Sequence, residues 1–129
     1  MPSTTNHASS LIYVAPVLRV ANLARSLAHY RETLGFELEF VHGDFYASVM
    51  REGCRLHLKA APPLPRAQEP GEPGDHIDAC FGVRDARALA ATFAARGATF
   101  ALQPRTQAYG IEFYLRDPDG YILGFVEAA

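Results

Sequence analysis

The same order of predicted elements occurs twice in this sequence, and that repeat limits the possible folds more than any other feature. The second copy ends at residues 109–127, where an alternating apolar and polar run and a second strand-like run flank Asp117-Pro118-Asp119-Gly120. Pro118 fixes φ and Gly120 accepts positive φ at no steric cost, so a β-hairpin is predicted. A weaker copy, residues 45–51 and 54–60 around Glu52-Gly53, ends the first half.

A strand, a capped helix and a short strand precede each hairpin. The first set is strand 17–20, helix 22–34 with Asn22 as N-cap and Gly35 behind it, and strand 36–40; the second is strand 79–83, helix 85–96 with Asp85 and Gly97, and strand 98–102. The repeat recurs after about sixty residues, which is too long for a short-repeat solenoid. The sequence therefore predicts an α+β fold made of two βαβββ modules.

Three local assignments complete the prediction. Residues 11–14 and 17–20 are predicted to be strand on either side of Ala15-Pro16, and because proline removes a donor from the ladder, the strand is either an edge strand or broken at that point. Residues 103–108 are predicted to be a loop that leads to the last hairpin. His29 is expected to face solvent on the first helix.

Chain length and the proline-rich middle of the chain indicate one domain of two modules. A chain of 129 residues can bury one sizeable core. Module one is predicted at residues 11–60 and module two at 76–127, while residues 61–75 form a proline-rich linker. Residues 1–10 have the composition of a loose arm.

Composition excludes several classes of protein. A net charge of −2 gives no electrostatic footprint for nucleic acid, and no apolar run has the length of a membrane span. Cys54 and Cys80 lie in predicted strands and are expected to be reduced core residues. We therefore expect a cytoplasmic protein with no nucleic-acid or membrane partner.

Several short motifs carry a resemblance to a known family. They are residues 18–26, His29-Tyr30 and residues 34–36 in the first half, and Tyr109-Gly110, Glu112-Phe113, residues 117–120 and 125–127 in the second. Over residues 14–127 the chain resembles the vicinal oxygen chelate superfamily of glyoxalase I, extradiol dioxygenases and bleomycin-resistance proteins. Residues 15–18, 40–41, 44–45 and 107–113 look most like the bleomycin-binding members. The resemblance implies a curled mixed sheet around a cavity, completed in a homodimer.

The resemblance also places four metal-ligand positions, on the first and last strand of each module. In this chain they fall on Ala15, His57, Asp78 and Gly124, with His76 as an alternative to Asp78. A divalent ion needs converging imidazole and carboxylate groups, and two ligands rarely suffice. We therefore predict no metal, no cofactor and no catalytic residue.

Without a metal ion, the predicted function is binding of a small planar or amphipathic molecule, including a bleomycin-like antibiotic. The relatives stack aromatic rings on the ligand from positions that correspond here to Phe45 or Tyr46 and to Tyr109. Asp78 lies in an apolar strand, so its carboxylate must be solvated or paired. The predicted ligand-binding residues are Phe45, Tyr46, His57, Asp78, Tyr109 and Glu112. The chain departs from those relatives in having no tryptophan and a nearly neutral charge.

Two other functions stay open at this point. A metal-dependent lyase or dioxygenase would need His57, His76 or Asp78, and Glu112 or Glu127 to converge on one ion. A structural subunit would have a closed cavity. The sequence also leaves open whether the modules pair within one chain or are exchanged between two.

Overall fold

The structure, a computed structural model, describes residues 9–63 and 76–129, which form two four-stranded mixed sheets with one helical segment packed on each. The elements are β1 Val17–Val20, α1 Leu23–Ala28, a π-helical turn His29–Thr33, β2 Glu37–His42, β3 Tyr46–Arg51, β4 Cys54–Ala60, β5 Ala79–Gly82, α2 Ala86–Ala95, β6 Thr99–Gln107, β7 Gly110–Arg116 and β8 Ile122–Ala128. The strand orders are β1-β4-β3-β2 and β5-β8-β7-β6. In each sheet the first strand is parallel to the last, and the other neighbours are antiparallel. The duplicated βαβββ arrangement is therefore confirmed.

Side-chain caps start both helices where the sequence predicts. Asn22 Oδ1 accepts from the Arg25 N–H at 2.9 Å, and Asp85 Oδ1 accepts from the Ala88 N–H at 3.0 Å. These bonds satisfy backbone donors that have no partner inside a helix. Gly35 has a φ of 75°, which suits glycine behind a helix.

One apolar core joins the two modules through their helix-facing sides. The Tyr30 hydroxyl donates to Asp117 Oδ2 at 2.7 Å, and the Tyr121 hydroxyl donates to the Arg19 carbonyl at 2.7 Å. Arg25 lies 3.0 Å from the Asp119 carboxylate. Asp117 also accepts from two N–H groups of its own turn, so the last hairpin fixes the position of the first module.

The predicted strand at residues 11–14 is wrong, because this segment lies outside any strand. Pairing with β4 begins only at Val17, and the preceding bond runs from the His57 N–H to the Pro16 carbonyl at 2.9 Å. The side chains ahead of that point are exposed, Leu11 by 90% and Ile12 by 91%.

The predicted loop at residues 103–108 is also wrong, because β6 continues to Gln107. Arg105 pairs with Glu112, and Gln107 pairs with Gly110. A register shift between Leu102 and Arg105 accommodates Pro104, which cannot donate to the ladder. The bulge therefore lets the strand continue past a proline within the predicted loop.

Three side chains lie elsewhere than the sequence suggested. Cys54 and Cys80 are free thiols, as predicted, but both are exposed, because Cys54 lies at the very start of β4 and Cys80 lies on the face of β5 opposite Phe81. His29 is half-buried because the chain widens into the π-helical turn and its ring packs edge-on against Tyr30 at 5.0 Å.

Part of the predicted linker, residues 64–75, and residues 1–8 of the predicted arm lie outside the described residues. Among the described helices, none has the length and apolar content that a membrane crossing requires.

Candidate functional site

Each sheet has one face toward its helix and one open face, as strand alternation requires. In β3 and β4 the buried apolar residues are Ala47, Val49, Leu56 and Leu58. Tyr46, Arg55 and His57 therefore lie on the open face of the first sheet. The Tyr46 hydroxyl and His57 Nδ1 are hydrogen-bonded at 2.8 Å, which brings together two of the predicted site residues.

Aromatic side chains surround His57 on this face, and we call Tyr13, Phe40, Tyr46 and His57 the His57 cluster. The Phe40 and Tyr46 rings are nearly parallel, 5° apart, with centroids 6.4 Å apart. Phe40 meets the imidazole at 5.6 Å, and Tyr13 meets it at 5.9 Å. The Tyr13 hydroxyl lies 3.4 Å from His57 Nε2, so both imidazole nitrogens have a tyrosine partner.

A charged pair lies beside the His57 cluster. The Arg55 guanidinium lies 4.1 Å from the centre of the Tyr13 ring and 2.9 Å from the Glu39 carboxylate. Glu39 also accepts from Ser48 Oγ at 2.7 Å. Hydrogen bonds from Arg55 and Ser48 lower the pKa of Glu39. Phe45 lies in the turn between β2 and β3. Its side chain is 57% exposed, and its ring lies 6.5 Å from that of His42.

On the open face of the second sheet, Glu112 is the centre of a polar network with Arg105, Tyr109 and Tyr114, which we call the Glu112 network. Its carboxylate is 2.7 Å from Arg105 and accepts from the Tyr114 hydroxyl at 2.9 Å, although Glu112 is only 1% exposed. Tyr109, more than half exposed, is also hydrogen-bonded to Glu112.

The network sets the ionisation of its members. Desolvation acts to raise the pKa of Glu112, but hydrogen bonds from Tyr109, Arg105 and Tyr114 outweigh it and hold the pKa below its ordinary value. Burial and the bond to Glu112 raise the pKa of Tyr114 to about 12. The network is therefore a carboxylate held by three donors, with the Tyr109 ring facing outward.

Asp78 lies just before β5 in the second sheet, and both oxygens of its carboxylate are hydrogen-bonded. Oδ1 lies 2.9 Å from His76 Nε2, and Oδ2 accepts from the Ile122 N–H at 2.8 Å. The carboxylate is thus hydrogen-bonded to its neighbours and helps to join β5 to β8.

The residues at the four metal-ligand positions do not fit a divalent ion. Ala15 carries no donor, both nitrogens of His57 have tyrosine partners, and both oxygens of Asp78 are hydrogen-bonded. A Cβ built on Gly124 would lie 3.3 Å from Ile77 and 3.4 Å from Tyr114, so a ligating side chain there would need its neighbours to move. Within residues 9–63 and 76–129, no group of three or more His, Cys, Asp or Glu residues could hold a metal ion.

Several site residues were missed in the sequence. Arg55 and Tyr114 could have been found by alternation, since they lie two positions from His57 and Glu112 on the same strands. Tyr13 gave no such signal, because it comes from a segment outside the sheet. Arg105 was assigned to a loop, and only the bulged strand brings it to Glu112.

The sequence of this chain matches a known protein family. The sequence profile of the Glyoxalase/Bleomycin resistance protein/Dioxygenase superfamily matches residues 6–125. The chain belongs to this superfamily. No curated protein matches the sequence of this superfamily member.

Solved structures of the superfamily share the fold at low sequence identity. The bleomycin-binding protein of Streptomyces verticillus, complexed with copper(II)-bleomycin, is 23% identical, with 93% of this chain and 98% of that chain covered and a TM-score of 0.69. TnmS3, an antibiotic-binding protein from a Streptomyces species, is 23% identical, with 92% and 98% covered and a TM-score of 0.65. A glyoxalase-related enzyme of Clostridium phytofermentans is 18% identical, with 96% and 100% covered and a TM-score of 0.74. The superfamily fold thus serves both binding proteins and enzymes.

Proposed function

We propose that this protein binds a small planar or amphipathic molecule on the open faces of its sheets, without a metal ion. The main support for this proposal is the identity of the side chains at the four metal-ligand positions. Of the four ligand positions, two lack a donor side chain, and the other two are occupied by hydrogen bonds. Lyase and dioxygenase chemistry in this superfamily depends on an ion that polarises substrate oxygens. The available chemistry is instead ring stacking and hydrogen bonding.

The His57 cluster supports the choice of ligand class. Phe40 and Tyr46 are parallel rings, and the exposed Phe45 ring lies at the end of the same hairpin. Stacking on a planar guest contributes about 1 kcal/mol per ring beyond area burial. A protein complexed with copper(II)-bleomycin and an antibiotic-binding protein have this fold, which supports a small-molecule ligand. A bleomycin-like antibiotic is therefore one candidate ligand.

We further propose that two chains combine their open faces in a homodimer. The modules of one chain pack core to core, and within the described residues no strand of one sheet pairs with a strand of the other. β1 is an edge strand, preceded by Leu11, Ile12 and Val14, which are 90%, 91% and 87% exposed. Apolar side chains exposed to this extent beside an open edge support burial in a subunit interface.

Titration calorimetry tests ligand binding. The panel is metal-free bleomycin, copper(II)-bleomycin and flat aromatic metabolites. The ligands that contain no metal are measured in buffer with EDTA. We expect at least one saturable isotherm, weakened about tenfold in Tyr46→Ala and less in Tyr46→Phe, which keeps the ring. Ala91→Ser, an exposed change on α2 and therefore on the helix side of the second sheet, is the control. The absence of binding across the panel, or equal binding by wild type and Tyr46→Ala, would contradict the proposal.

Light scattering after size-exclusion chromatography tests the dimer. We expect a dimer for the wild type and a shift toward monomer for Ile12→Asp, because a buried charge in an apolar interface is costly. Ala91→Asp, an exposed change on α2 and therefore on the helix side of the second sheet, should stay dimeric. A monomeric wild type would overturn the dimer without touching the calorimetric result.

A further inference from the structure

A cavity of about 690 Å³ lies between the modules. One wall is the β3–β4 turn, and the other is formed by the end of β5, the first turns of α2 and the end of β8. None of the six predicted site residues lines it. Its volume is typical of small-molecule sites, about 300–1,000 Å³.

Four phenylalanine rings form the apolar lining of this inter-module cavity. Phe36 comes from the first module, and its ring centre lies 6.1 Å from that of Phe81. Phe81 is stacked on Phe125 at 5.0 Å, and Phe125 meets Phe93 at 5.4 Å. Three of the rings are nearly fully buried, so the lining is fixed before a ligand arrives.

The rim of the cavity carries two arginines and two carboxylates, and both carboxylates are engaged. Asp85 accepts from the Ala88 N–H at 3.0 Å at the start of α2, where the helix dipole offsets its charge. Glu52 accepts from Arg51 Nε at 3.3 Å. Among the charged rim residues, this leaves the charge of Arg84 unmatched.

Arg51 adds directed donors above the rings. Its guanidinium lies 5.8 Å from the centre of the Phe93 ring, and Nη1 donates to the Leu34 carbonyl at 2.8 Å. A guanidinium has five N–H donors, and the bonds to Leu34 and Glu52 use two of them. A carboxylate entering the cavity would find these donors next to the apolar lining.

We infer that the inter-module cavity is a second binding site, which takes an apolar carboxylic acid with an aromatic or short acyl body. The body would lie against the phenylalanine rings and the carboxylate against Arg51 and Arg84. This site is independent of the function proposed for the open faces.

The two exposed cysteines test the site in the wild-type protein. Cys54 lines the cavity, whereas Cys80 lies on β5 outside it. Alkylation by iodoacetamide is followed by mass spectrometry with and without naphthalene-1-carboxylate. At ten times its dissociation constant, the probe should slow modification of Cys54 by up to about tenfold and leave Cys80 unchanged. Equal rates at Cys54 with and without probe, or equal slowing at both cysteines, would overturn the inference.

Variants test the position and the charge preference by calorimetry. Ala88 lines the cavity from an exposed position of α2, so Ala88→Leu adds bulk inside the cavity, and binding should be lost. Ala91→Leu adds the same group to an exposed position of α2 outside the cavity and should bind normally. Arg84→Gln should reduce the preference for naphthalene-1-carboxylate over the neutral naphthalene-1-carboxamide. Full binding by Ala88→Leu, or equal wild-type affinity for acid and amide, would contradict the inference.

Discussion

The two modules have the same strand order and cap their helices in the same way, yet their open faces differ. The first carries the half-exposed rings of the His57 cluster, and the second carries the Glu112 network around a buried carboxylate. The equivalent positions on the last strands are His57 and Gly124. Side chains that face the helix are constrained by the shared core, whereas those on the open faces can diverge without loss of the fold.

The turns of the two last hairpins differ as well, and Asp117→Ala should give the largest effect. The Asp117 carboxylate accepts from the Asp119 and Tyr121 N–H groups and from the Tyr30 hydroxyl. Leaving three donors without an acceptor should lower the free energy of unfolding by about 4 kcal/mol. Urea denaturation measures it. Asp117→Asn keeps an acceptor and should lose less; equal losses would contradict this account of the turn.

Acidic residues on the two open faces should differ in importance. Glu112→Ala removes the acceptor of Arg105 and Tyr114 from a buried position and should cost about 2 kcal/mol of unfolding free energy. Glu39→Ala removes the acceptor of Arg55 at a more exposed position and should cost less.

The pH dependence of the free energy of unfolding, measured by the same urea denaturation, should also differ between the two open faces. The folded-state pKa of Glu112 is lowered, so its stabilising contribution is present above 4.5, the value of the ordinary carboxyl, and is lost as pH falls through the folded-state pKa. The loss of this contribution in acid should be absent in Glu112→Ala. A loss from Glu39→Ala at neutral pH as large as that from Glu112→Ala would remove the distinction between the faces.

The β3–β4 turn has a non-glycine residue at positive φ, whereas the β7–β8 turn has a glycine there. Glu52 has a φ of 51°, which is strained for a residue with a side chain. Glu52→Gly relieves this strain and should raise the free energy of unfolding by less than about 1 kcal/mol. The substitution also removes the exposed ion pair between Glu52 and Arg51, which contributes little to stability. Glycine in the second hairpin already occupies such a position, with a φ of 89° at Gly120. A lower melting temperature for Glu52→Gly would show that the strain is absent.

The smallest effect should be a pH dependence peculiar to the first module. His29 lies seven residues after the Asn22 cap, where the second helix has the exposed Thr92. Burial lowers the pKa of His29 from 6.5, so the unfolded chain binds its proton more readily, and stability should fall as pH drops below about 6.5. His29→Thr should flatten this part of the profile, measured by thermal denaturation between pH 5 and 8. An unchanged slope would contradict the contribution of His29.

Local patterns in the sequence predict the repeat, the caps and most strands, because each depends on neighbouring residues. Three features depend on distant contacts instead. Pairing of β1 begins at Val17, opposite His57, although β4 extends back to Cys54, and the passage of β6 through Pro104 depends on a bulge against β7. The burial of His29 depends on a change of helix type.

The candidate site shows the same division. Tyr46 and His57 could be selected one at a time, but their hydrogen bond follows from the register of β3 and β4, in which Ser48 is opposite His57. The packing of Ile77 and Tyr114 above Gly124 has no local signal. The sequence identified a glycine without a donor, and the structure adds that the space is filled.

Elemental analysis of the native protein, purified without chelator or added metal, determines whether the protein carries an ion. If the open faces bind ligands without an ion, zinc, nickel, manganese and iron should each be present at well below one ion per chain. A near-stoichiometric amount of any of them, lost in His57→Ala, would contradict the claim and support metal-dependent chemistry.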